Sequence, residues 1–100
     1  MGKFNVLIVD DIEANIYSLK LLIEDNFDLN IFTATSANDA MGVLLNKSID
    51  LILMDVQMPE VDGFEFTLYL KDLEIIKDIP IIFITGIYDN EQYKSKAYEI

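Results

Sequence analysis

The chain has no cysteine, no histidine and no arginine, and only four glycines and two prolines in 100 residues. Each absence removes a chemistry. Without Cys there is no disulfide, no thiolate zinc site and no thiol nucleophile. Without His there is no Ser-His-Asp triad, no imidazole base and no imidazole ligand for a metal. The only bases are seven lysines against eighteen acids, a net charge of −11. That balance argues against a partner made of nucleic acid, which requires a positive face. Purely apolar runs stop at about four to five residues, far short of the ~20 of a membrane span. The N-terminus, Met1-Gly2-Lys3, leads into a strand pattern rather than a signal-peptide core. A hydrophobic share of 52% and a charged share of 25% exclude a disordered tail. The expectation is an acidic cytoplasmic domain with no membrane contact, whose chemistry rests on carboxylates, hydroxyls, Lys and backbone. One hundred residues suit one domain, 1–100.

Strand-like and helix-like segments alternate. Phe4 to Val9 is apolar on both faces, Phe4, Val6 and Ile8 on one and Leu7 and Val9 on the other, as in a strand covered on both sides. Ile12, Ile16, Leu19, Leu22 and Ile23 recur at three- and four-residue steps and predict a helix over 12–25. Leu29 to Ala34 reads as a weaker strand. Ser36 and Asp39 have capping-box spacing before a short helix carrying Ala40, Met41, Leu44 and Leu45. Leu51 to Met54 is a third strand. Met58-Pro59 and Asp62-Gly63 mark a loop. Asp62 with Glu65 suits the cap of a helix to about Leu73, with Phe64 and Leu68 turned inward. Pro80 opens a fourth strand, Ile81 to Ile84, and Asp89 with Gln92 caps a last helix near 90–99. The order βαβαβαβα implies an α/β fold, a parallel sheet with helices on both faces.

Open parallel sheets bind ligands beyond the carboxyl ends of their strands, where the strand order reverses. Those ends are loaded here: Val9-Asp10-Asp11, Met54-Asp55 and Ile84-Thr85-Gly86. If the first and third strands are neighbours, three carboxylates meet in one crevice with a hydroxyl beside them. Such acids repel, and must take up protons or hold a cation. An all-oxygen set without His or Cys suits a hard divalent ion, Mg²⁺ in the ordinary case. A carboxylate beside such an ion can attack a phosphoryl group. Each residue taken singly has a plainer role. Asp11 suits the cap of the helix near Ile12, Asp55 a turn before Met58-Pro59, and Thr85 a strand-end hydroxyl bonded to backbone. The signal is their shared rim.

Val9-Asp10-Asp11, Leu53 to Pro59, Asp62-Gly63-Phe64 and Ile84-Thr85-Gly86 together resemble the receiver domain of two-component response regulators. The spacing agrees, with 44 residues from Asp11 to Asp55 and 30 from Asp55 to Thr85. The resemblance implies a flavodoxin-like sheet of order 2-1-3-4 here, continuing to 5 in the family. It implies Asp55 as phosphoacceptor and Mg²⁺ held by Asp10, Asp11, Asp55 and the backbone carbonyl of Gln57. It implies Thr85 as the hydroxyl that moves toward the phosphoryl group. It also implies a sensor histidine kinase or phosphotransfer protein as donor partner, and signal relay rather than enzymatic turnover. A receiver-like interaction module that is never phosphorylated is the alternative. A magnesium-dependent phosphohydrolase is disfavoured by the adjacency of Asp10 and Asp11, and a flavin binder by acids where phosphate would sit.

The departure is at the C-terminus, where the family continues with a fifth strand, a Lys-Pro turn and a fifth helix. This chain ends before them, so the expectation is an incomplete receiver lacking the phosphoryl-pairing Lys and the aromatic switch residue. Lys94 and Lys96 do not take over that role. Impaired phosphotransfer follows, as does a homodimer through the exposed fourth strand or by exchanged elements.

Overall fold

The computed structural model describes residues 3–56, 63–73 and 78–84. Four strands, β1 (Asn5–Val9), β2 (Asn30–Ala34), β3 (Leu51–Asp55) and β4 (Ile81–Ile84), alternate with three helices, α1 (Glu13–Asn26), α2 (Ala37–Asn46) and α3 (Gly63–Lys71). The sheet has the order β2-β1-β3-β4, and every pairing is parallel. This is the flavodoxin-like α/β architecture that the alternation implies.

Register explains how the core forms. Leu7 lies beside Phe32 and Ile52, and Ile52 beside Ile81. One step along, Val9 lies beside Ala34 and Met54, and Met54 beside Phe83. Because side chains alternate across a strand, these rows share one face. They pack with Ala40 and Leu44 of α2 and with Phe66 and Leu70 of α3 into one cluster. Val6 and Ile8 are equally buried but point to the opposite face, outside that cluster, as does Ile16 of α1. Burial of both faces of β1 is why it reads as an unbroken apolar run.

The helices depart from their spacing patterns at named positions. In α1 only Ile16 is fully buried, Leu19 and Ile23 are half-buried, and Ile12 and Leu22 are exposed, contrary to the face assigned from periodicity. In α3 the expected inward Leu68 is 59% exposed, while Phe66, Thr67 and Leu70 face the core. The i, i+4 pair Phe66 and Leu70 sets the contact with the sheet, which turns Leu68 outward. The Ser36 Oγ accepts the Asp39 backbone N–H at 3.1 Å, capping α2 as expected. The other half of the capping box is missing, because the Asp39 carboxylate accepts from the Thr35 hydroxyl at 3.0 Å. α3 closes with Asp72 and Leu73 N–H groups on Tyr69 and Leu70 carbonyls, and the Lys71 Nζ donates to the Ile79 carbonyl at 3.2 Å. The Pro80 carbonyl then accepts from Ile52 N–H at 3.0 Å, which starts β4 against β3.

β4 is the terminal strand of the described sheet, and its Ile82 is 53% exposed, so strand order does not hide this edge. The loop at 57–62, the turn Thr85-Gly86 and the helix expected near 90–99 lie outside the described residues. Among the described residues no helix is long and apolar enough to cross a membrane.

Candidate functional site

The chain places β2 on one side of β1 and then crosses to place β3 on the other. That reversal opens a crevice at the carboxyl ends of β1 and β3, and both strands deliver acids there. Val9 pairs with Met54, so Asp10 and Asp55 are the next residues along adjacent strands. Asp10 is anchored by its backbone N–H, which donates to the Ala34 carbonyl at the end of β2 at 3.1 Å. Asp55 is the last residue of β3 and sits beside Ile84 of β4.

One carboxylate oxygen from each of Asp10, Asp11 and Asp55 lies within 4.8 Å of the others. Asp10 and Asp55 are 7% and 6% exposed, and Asp11 is half-buried. The three acids singled out on two strand ends are therefore brought together. Asp11 does not act as a helix cap: the N-cap of α1 is Ile12, which makes no side-chain capping bond. Asp10 does the local work instead, its Oδ1 accepting the Ile12 backbone N–H at 2.9 Å. An Asp accepting from the N–H two residues on is a local turn motif, and Asp10 preceding a helix was a signal for it. The other two expected site positions, Gln57 and Thr85, lie outside the described residues.

At 4.8 Å two unit charges repel by about 3.5 kcal/mol at an effective dielectric near 20. Two of these acids are almost shielded from water, so screening is weak. The donor set fits a hard divalent cation: oxygen only, three negative charges, one open side at half-buried Asp11, and neither His nor Cys in the chain. Asp10, Asp11 and Asp55 would hold it, and Mg²⁺ matches this chemistry.

Comparison with known proteins agrees with the geometry. A sequence profile of the response regulator receiver domain matches residues 6–100. The chain is 42% identical over 82 residues to the polar-differentiation response regulator DivK of Brucella ovis, covering 82% of this chain and 66% of that protein. The DivK of Brucella anthropi matches over the same length at 40% identity. The chain thus spans about two thirds of the length of the curated relatives it matches. Among solved structures, the receiver domain of a signal transduction histidine kinase from Syntrophus aciditrophicus superposes with a TM-score of 0.81 at 28% identity, covering 96% of this chain and 71% of that one. The chemotaxis protein CheY4 of Vibrio cholerae gives 0.83 at 23% identity, over 98% of this chain and 80% of that one, a likeness of fold.

Proposed function

The chain belongs to the response-regulator receiver family, and from that premise we propose that Asp55 is its phosphoryl acceptor in a magnesium-dependent transfer from a phosphohistidine-bearing partner. The observation that carries this is the position of Asp55. It ends β3 with 6% exposure, and Asp10 and Asp11 carboxylates lie within 4.8 Å.

The chemistry follows from that position. An Asp55 carboxylate oxygen attacks phosphorus, the phosphorus–nitrogen bond of the donor breaks, and the imidazole nitrogen leaves with the electron pair and takes up a proton. The product is an acyl phosphate on Asp55. Bound Mg²⁺ would neutralise charge on the transferring oxygens. Asp10 and Asp11 would supply the negative charge that retains the cation, and the family resemblance adds the Gln57 backbone carbonyl as a further ligand. The Asp10 backbone is held by the Ala34 carbonyl and its carboxylate by the Ile12 N–H, so that carboxylate cannot swing away without breaking the bond to Ile12.

Phosphorylation adds about −1.5 to −2 charge units and three acceptor oxygens. Thr85 follows the last residue of β4, and Ile84 is the register partner of Asp55. The family resemblance assigns the Thr85 hydroxyl to those new oxygens. Movement of Thr85 would carry the 85–87 turn with it, and this is the step that reports the charge to a partner. The place of action is the cytoplasm, where kinases draw on ATP, and the domain relays a signal rather than turning over a substrate.

Uptake of beryllofluoride, a phosphoryl mimic, tests the reading. The chain should bind it only with Mg²⁺ present, seen as a shift in fluorine NMR, and Asp55→Asn should abolish binding. A chain that takes up neither ion nor mimic is an interaction module with a receiver fold, and the acceptor role falls.

A further inference from the structure

Gly42 occupies the interior of α2, where glycine is the least favoured residue after proline. A Cβ added there would meet no atom within 4 Å, so no neighbouring side chain or backbone needs the space. A helical glycine without an internal packing reason leaves the other use of the residue, close approach of another backbone from outside.

The side chains around Gly42 form an apolar strip. α2 and α3 pack on the same face of the sheet, α2 over β2 and β1. Each returns the chain from one parallel strand to the next, so the two helices run in the same direction. In α3, Phe66 and Leu70 face the sheet, and Lys71, one residue on, reaches the Ile79 carbonyl just ahead of β4. A step of one residue, about 100° of helical turn, therefore leads toward the β4 side. The same step in α2 leads from buried Ala40 and Leu44 to Met41 and Leu45, on the side toward α3. The reverse step in α3 leads from Phe66 and Leu70 to Glu65 and Tyr69, on the side toward α2. Leu45 and Tyr69 are 59% and 56% exposed, Met41 is half-buried, and Gly42 and Leu68 are exposed beside them.

Charge selects the occupant. Glu65 is exposed on the Tyr69 side, and exposed Asp72 follows one turn beyond, its N–H on the Tyr69 carbonyl. The two lysines of this region are turned elsewhere, Lys71 to Ile79 and Lys47 over the Phe32 ring. We propose that the outer face of α2 and α3 around Gly42 is a docking surface for a cationic amphipathic helix of a partner protein. Apolar anchors one turn apart on that helix would lie among Met41, Leu45, Leu68 and Tyr69, and its lysines or arginines would meet Glu65 and Asp72. Bare backbone at Gly42 lets the helix sit close. A second copy of this chain would set the same acids against each other, and an anionic lipid surface would meet acids as well, so neither suits the face. The surface is separate from the acid crevice, and the claim does not depend on the role of Asp55.

The test uses a fluorescein-labelled synthetic helix of about 18 residues, made of Leu and Lys with every Leu on one face. Its controls are the same composition in scrambled order and the same pattern with Glu in place of Lys. Anisotropy at about 0.15 M salt should show the patterned Lys helix binding at least about tenfold tighter than the scrambled one, and the Glu helix not binding. Amide NMR shifts should centre on Met41, Gly42, Leu45, Leu68 and Tyr69. Gly42→Gln should raise the urea midpoint of the chain yet weaken the helix about tenfold, opposite effects that a purely structural glycine would not give. Glu65→Gln with Asp72→Asn should weaken it about threefold. Equal binding of the scrambled peptide overturns the proposal, since attraction to the net charge would then suffice. Shifts centred on another face, or unchanged affinity in Gly42→Gln, also overturn it. Self-association that Gly42→Gln abolishes would replace the partner helix by a second copy, and binding to phosphatidylglycerol vesicles lost in Gly42→Gln would replace it by a membrane; either refutes the claim.

Discussion

Replacing Asp11 by Asn should make the metal-free protein more stable and at the same time make it indifferent to magnesium. Asp11 lies within 4.8 Å of both Asp10 and Asp55. At that distance each pair repels by about 3.5 kcal/mol at a dielectric near 20, and by about 0.9 kcal/mol at the dielectric of water. Asp11 is half-buried, so each of its two pairs falls between those limits. Against this, a negative charge ahead of α1 gains about 0.3–1 kcal/mol from the helix dipole, which the amide gives up. With both pairs at the weaker, water-like limit, the net expectation is a gain of at least about 1 kcal/mol for the apo protein. Urea unfolding in EDTA reads it directly: with a slope near 1 kcal/mol/M, the midpoint should rise by at least about 1 M. Adding Mg²⁺ should raise the midpoint of the parent, by about 2.7 kcal/mol at a hundredfold excess over Kd, and leave Asp11→Asn almost unmoved. A less stable apo variant would show that the three acids do not strain one another. An equal magnesium response in both proteins would remove Asp11 from the metal site.

Two further outcomes follow from the packing. Leu70→Ala should cost about 2–5 kcal/mol, because Leu70 is fully buried against the sheet, while Leu68→Ala should cost under about 1 kcal/mol, being mostly exposed; similar denaturant midpoints for the two would contradict the orientation of α3. Thr67 is fully buried and its hydroxyl finds no hydrogen-bond partner among the described residues, so Thr67→Val, which keeps the shape and removes the polar atom, should stabilise by about 1–2 kcal/mol; a loss of stability in the same melt would mean the hydroxyl is bonded.

The sheet was legible because β1 and β3 carry apolar residues on both faces, a pattern that only central parallel strands require. Helix faces were less so. α3 carries Phe66, Leu68, Tyr69 and Leu70 within one short stretch, so apolar residues fall on more than one face and spacing alone does not choose. The sheet chooses, by receiving Phe66 and Leu70. In α1 the same spacing counted Ile12 and Leu22 as core, yet Ile12 precedes the first helical turn and Leu22 stands in solvent. The acid crevice lies between these cases. No single segment reveals it, since Asp11 alone suggests a cap and Asp55 alone a turn. Acids ending two apolar strands converge only if those strands are neighbours, and the β2-β1-β3-β4 order makes them so. The Asp10 bond to Ile12 N–H was within reach of the sequence. The orphaned Thr67 hydroxyl was not, because its burial follows from the rotation of α3.

Intact-mass measurement after incubation with acetyl phosphate tests the account most directly. With Mg²⁺ the chain should gain one phosphoryl group, and it should gain none in EDTA or after Asp55→Asn. Labelling that survives Asp55→Asn, or that proceeds equally without a divalent cation, would contradict it.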